Sequence, residues 1–247
     1  MFFKDELPGV IARFRAAGVD RVLTVGSSAD LAHIEAAVAT AHDNADVFAA
    51  VGVHPHDGDR LTDAILDRFV VLAADPKVRA IGETGLDFHY DFSSRAGQVD
   101  AFGRQLDLAT QLGMPVVIHC REAHSECIDL VRSRRLPDRP GQLHCFTGTL
   151  AEVREWLDLG FMISIPGVVT FKNIDALIEA VRYVPDDALL IETDSPYLAP
   201  APMRGRVNEP AFIVHTAAAV ARIRGVSIEH IAAVTSANAD RLFCFDN

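Results

Sequence analysis

The chain has 247 residues, 49% hydrophobic and 23% charged, a length that suits either one α/β barrel or two small domains. Its formal net charge of -11 gives no help in attracting nucleic acid and argues against a general DNA-coating role, although bound metal cations can outweigh that sign locally. No apolar run approaches the roughly 18 to 20 residues that span a bilayer, and residues 1–6 do not read as a signal peptide, so a soluble, cytoplasmic protein without a membrane partner is expected.

Cys120, Cys127, Cys145 and Cys244 show no CxxC pairing and read as reduced thiols. In chain order, Leu7, Val10, Ile11 and Phe14 form an amphipathic stripe, with Pro8 suited to a first helical turn and Gly18 to an exit. Strands are expected at 21–26, 47–53, 78–82, 115–120, 142–146, 161–165 and 189–192, most of them continuous apolar runs. Helical spacing fills the intervals 31–42, 61–74, 94–112, 123–134 and 151–159. No low-complexity linker divides the chain, so one domain over 1–247 is expected. Strand–helix alternation allows a (β/α) barrel or an open doubly wound sheet. No strand leads into GxGxxG or GxxxxGK[ST], and polar residues sit at several strand ends, where barrel sites assemble. The expectation is therefore an α/β fold, a TIM-type (β/α) barrel with seven recognisable strands and the first strand missing. The six residues before the first helix cannot supply a strand and its loop, so either the barrel is open there or the natural chain begins about 15 to 20 residues upstream.

Glu83, His119, His144 and Asp194 each follow an apolar run. Two imidazoles and two carboxylates converging at strand ends make a mixed nitrogen/oxygen site for Zn²⁺, Mn²⁺ or Mg²⁺, and carboxylates can bridge two such ions. A hydrogen-bonded structural role is the alternative for any one of them, but four uncompensated polar groups together are costly to bury. None of the three lysines, Lys4, Lys77 and Lys172, ends a strand, which argues against a bridging carbamylated lysine.

Seven segments now stand in order: Gly52-Val53-His54-Pro55-His56, Ile81-Gly82-Glu83-Thr84-Gly85-Leu86-Asp87, Val117-Ile118-His119-Cys120-Arg121, His144-Cys145-Phe146-Thr147-Gly148, Ile163-Ser164-Ile165-Pro166-Gly167, Glu192-Thr193-Asp194-Ser195-Pro196-Tyr197-Leu198-Ala199-Pro200 and Arg204-Gly205-Arg206-Val207-Asn208-Glu209-Pro210. Together they resemble the successive signatures of TatD-family deoxyribonucleases, from about residue 18 to 243. The resemblance implies an amidohydrolase-type barrel, a divalent metal centre with up to two ions, and exonuclease-like cleavage of DNA in single-stranded form. It further implies that Glu83 bridges, that His119 and His144 hold one metal, and that Asp194 holds the other and orients the attacking water. His54 and His56 would face the substrate or its phosphate, or simply form a turn around Pro55. Arg121 and Arg204 would clamp phosphate, or be solvated surface. Glu192 shares a strand face with Asp194, and Trp156 reads as core packing.

Two departures stand out. The family's first strand carries a His-x-His pair, whereas the first histidine here is His33, in a helical pattern; and Val207 stands where the family has a basic residue. An amide or ester hydrolase on the same scaffold, or a non-catalytic paralogue with a partial metal site, are the alternative readings. A missing strand would leave unpaired edges at 21–26 and 189–192, so self-association through that gap and lowered stability are expected.

Overall fold

The computed structural model describes Phe3 and residues 6–245; Lys4 lies outside the described residues. In chain order, α1 (Leu7–Ala16) is followed by β1 (Val22–Ser27), α2 (Leu31–Asp43) and β2 (Val47–Gly52), and a 3₁₀ turn (Pro55–Arg60) leads into α3 (Asp63–Ala73). Next come β3 (Val78–Asp87), α4 (Arg95–Leu112), β4 (Val116–Arg121), α5 (His124–Arg132) and β5 (Gly141–Leu143). Then come α6 (Leu150–Asp158), β6 (Met162–Ile165), α7 (Asp175–Tyr183), β7 (Leu189–Ile191), α8 (Ile213–Arg224) and α9 (Ile228–Phe243). Among the described residues no single helix is long and apolar enough to cross a membrane.

The elements fall into two compact units. One holds β1 to β5 with α2 to α5, and its strands pair in parallel in chain order. Here Phe69, Phe102, Ile81, Leu86, Leu106 and Ile118 are wholly buried, each contributing about 1.5–3 kcal/mol by leaving water. The α4 helix carries two of them on one face. It starts where the Ser94 hydroxyl accepts from Gly97 N, and it ends at Gly113 with a left-handed φ of 66°. One polar side chain crosses this core without penalty: Gln105 accepts from Val53 N at 2.8 Å and donates to Thr84 Oγ1 at 2.7 Å, fixing the exit of β2 against β3.

The other unit holds α1, α6, β6, α7, β7, α8 and α9 as far as Arg241, with β6 and β7 paired in parallel. Val10, Ile11 and Phe14 of α1 are buried as their spacing predicts, and Trp156 is fully buried. Arg13 makes a bidentate pair with Glu209, Nε at 2.8 Å and one terminal nitrogen at 2.6 Å, tying α1 to the segment before α8.

The largest departure from the sequence-based expectation is β3, which continues five residues past Gly82 to Asp87. Glycines at 82 and 85 read as a strand end, yet their φ values of 141° and 140° serve close approach between strands. A Cβ on Gly85 would lie 1.9 Å from the His119 carbonyl oxygen, and one on Gly82 would lie 2.5 Å from that of Val117. Conversely, β5 stops at Leu143, short of the expected 146, because Cys145 turns the chain with a φ of 48°. Gly85→Ala is expected to destabilise the protein by about 3 kcal/mol or more, since neither backbone can yield 1 Å cheaply. Urea unfolding reads this directly, and an unshifted midpoint would contradict the close-approach account.

Candidate metal centre

Four strands of one unit deliver five of the sequence-predicted side chains to one place. Glu83 lies within β3, His119 within β4, His144 directly after β5, and His54 and His56 just after β2. The Glu83 carboxylate is their hub. Its Oε1 is 3.0 Å from His119 Nδ1, 3.5 Å from His144 Nε2 and 3.6 Å from His54 Nε2. Ligand-capable atoms of His54, Glu83 and His119 all lie within 4.8 Å of one another. His54 also opens the 3₁₀ turn, its Nδ1 accepting from His56 N at 3.1 Å, which aims Nε2 at Glu83. The motif around Pro55 is therefore a turn and a part of the cluster at once.

Burial would push the Glu83 carboxyl upward, but the facing His144, His119 and His54 rings hold it far below the usual carboxylate range. For His54, burial prevails and lowers the imidazole to about 4, so the ring is neutral near pH 7. His119 moves the other way. Burial lowers it, yet bonds to Asp87 and Glu83 outweigh that and raise it to about 9. Both nitrogens of His119 are engaged, Nδ1 by Glu83 and Nε2 by Asp87 Oδ2, each at 3.0 Å.

Asp87 received no role from sequence alone. Its side chain is 1% exposed and accepts from His119 Nε2 and, at 2.9 Å, from His56 Nε2. The other carboxylate oxygen accepts from the backbone N of His89 and Tyr90, and Gln98 receives the Asp87 N–H. These bonds overcome burial and keep the group well below its ordinary value. A signal was present: residues 83, 85 and 87 of a strand share one face, so Glu83 and Asp87 both address β4.

The remaining predicted residues have other settings. Arg121 is exposed, its guanidinium 4.8 Å from the Tyr90 ring centre. Asp194 and Arg204 belong to the other unit. Asp194 follows β7 with a left-handed φ of 55°, and its carbonyl accepts from Tyr197 N at 2.9 Å. The wholly buried Asn208 fixes that turn by donating to the Thr193 and Tyr197 carbonyls at 2.6 Å, a role sequence reasoning passed over. Arg204 packs its guanidinium 3.8 Å from the Phe171 ring centre and donates to the Ala199 carbonyl.

A family model described as TatD related DNase matches residues 1–244. The chain belongs to the TatD family. It is 42% identical over 250 residues to the Klebsiella pneumoniae 3'-5' ssDNA/RNA exonuclease TatD, covering 99% of this chain and 94% of that one. It is 37% identical to an uncharacterized metal-dependent hydrolase, YabD, of Bacillus subtilis, covering 98% and 94% respectively. The solved structure of YJJV, a TatD homologue from Escherichia coli, aligns with a TM-score of 0.91 at 25% identity over 98% of this chain and 93% of that one. The TIM-type α/β fold expected from the sequence is thus the fold of this chain.

As a set of donors, an ionised carboxylate ringed by imidazoles suits a divalent cation, so the cluster fits the metal that its relatives are named for. The pH dependence of the metal-free protein follows from the four shifted groups. Raised to about 9, His119 stabilises fully below pH 6.5 and loses that contribution as pH climbs to 9. With His54 lowered to about 4, the ring stabilises above 6.5 and loses its contribution as pH falls to 4, below which Glu83 and Asp87 add to the loss. Melting of chelated protein should therefore peak near pH 6.5 and fall on both sides, with Asp87→Asn flattening the alkaline limb. A melting temperature still rising from pH 7 to 9 would contradict this.

Proposed function

We propose that the chain hydrolyses phosphodiester bonds of single-stranded DNA from an end, with a divalent cation, Mg²⁺, Mn²⁺ or Zn²⁺, held by Glu83, His119, His144 and His54. The observation that carries this reading is the single carboxylate facing three imidazoles inside one unit. The substrate class, and with it a 3' to 5' direction and action on RNA, is supported by the names of the exonuclease relatives. One family model spanning 1–244 supports treating the chain as a single domain.

When bound, the cation supplies positive charge to phosphate oxygens and lowers the pKa of water at the site. Glu83 anchors that charge, and its ionised state at neutral pH suits it to do so. Asp87 grips the far nitrogen of His119 and the near one of His56, so both rings stand in fixed orientations. For Asp194 the support is its motif and the Asn208-braced turn. We assign its carboxylate to take a proton from the water whose oxygen attacks phosphorus as the bond to the leaving nucleotide breaks. Arg121 and Arg204 are assigned to phosphate oxygens.

End-labelled single-stranded oligonucleotide should be shortened with Mg²⁺ or Mn²⁺ and stay intact with chelator. Glu83→Gln and Asp194→Asn should each slow the reaction roughly 10²–10⁴-fold. An intact oligonucleotide under every metal tried, or full activity in both variants, would contradict the proposal.

A further inference from the structure

The segment that follows β3 sets large aromatic rings in solvent beside the metal-capable cluster. Phe92 is 68% exposed and Tyr90 40%, although both are rings that ordinarily gain from burial. They stack on each other with centroids 5.4 Å apart and planes 27° from parallel. Each also meets the His56 ring edge-on, Tyr90 at 5.5 Å and Phe92 at 4.8 Å. His56 in turn shares the Asp87 carboxylate with His119, so one side chain separates the rings from the cluster. The segment is anchored: Asp87 accepts from the backbone of His89 and Tyr90, and the Ser93 hydroxyl donates to the His56 carbonyl. Positive charge borders it, with Arg121 over Tyr90 and the Arg95 guanidinium 4.1 Å from the Phe88 ring centre.

We infer that Tyr90 and Phe92 form a shelf on which the terminal nucleobase of a single strand stacks while its phosphate reaches the Glu83–His119 cluster. This deepens the nuclease reading and rests on it. Every base has a π-face, so such a shelf binds without regard to sequence, and a neighbouring guanidinium adds attraction for the backbone. Interior bases of a duplex are covered on both faces, and a terminal base is held to its pairing partner and must unpair before it can turn onto the rings, so the shelf favours unpaired ends.

Three labelled single strands test this, identical except for an end residue that is thymidine, abasic or 2-aminopurine. Tyr90→Ala and Phe92→Ala should each raise KM about tenfold for the thymidine-ended strand, with kcat unchanged and the abasic-ended strand unaffected. Phe92→Trp should keep the wild-type KM. Metal-free protein should quench the 2-aminopurine strand, and the alanine variants should lose that quench. Alanine variants that treat all three strands as the wild type does overturn the shelf. So does a change of oligomeric state in those variants with binding unaltered, which would give the patch to a second copy of the chain. A wild type that cuts none of the three strands yet shows Phe92-dependent quenching removes the nuclease reading and keeps the shelf. One that neither cuts nor quenches overturns both.

Discussion

A carboxylate pressed into a protein interior gives up its charge unless positive or hydrogen-bonding groups face it, and Glu83 keeps its charge because three imidazoles face it, the protonated His119 among them. Much of the five-strand unit serves that contact. Gly85 removes the side chain that would strike the His119 carbonyl, so β3 and β4 come close enough for Glu83 and His119 to bond. Gln105 pins the end of β2, from which the turn at Pro55 swings His54 towards the carboxylate. Asp87 holds His119 from the opposite side, and Gln98 holds Asp87. Removing any of these would loosen the hub without touching it.

In the metal-free cluster, protons stand where a cation's charge would. His119 carries one between Glu83 and Asp87, which is why its affinity for that proton is raised. A ligand imidazole must surrender the proton on the nitrogen that binds metal, so loading competes with protonation and strengthens as pH rises. Asp87 would still hold the ring by its far nitrogen once metal replaced the proton facing Glu83, so the ring would keep its orientation through the exchange.

The periodic and apolar parts of the chain were legible in the sequence, and the special backbone was not. All seven strands and the helices from α2 to α6 lie close to where hydrophobic runs and spacing put them, because burial sets both, whereas α7 between β6 and β7 was not named from the sequence. The extent of β3 was hidden: glycine ordinarily ends a strand, and only the three-dimensional approach to β4 explains Gly82 and Gly85 inside one. The same misjudgement concealed Asp87, since a residue placed in a loop has no face to share with Glu83. His54 and His56 were visible as a motif, but their division of labour, one at Glu83 and one at Asp87, depends on a single turn. Asn208 sat unnoticed because nothing in its neighbours' chemistry announces that two carbonyls eleven and fifteen residues earlier need a donor.

The most direct measurement is Mn²⁺ binding near neutral pH, read from the loss of the free-ion electron paramagnetic resonance signal, for wild type, Glu83→Gln and Asp87→Asn. If Glu83 is the hub, Glu83→Gln weakens binding by at least a hundredfold and Asp87→Asn by about 10- to 100-fold, the latter through loss of a ring's support. Glu83→Gln binding Mn²⁺ as tightly as wild type would contradict the account.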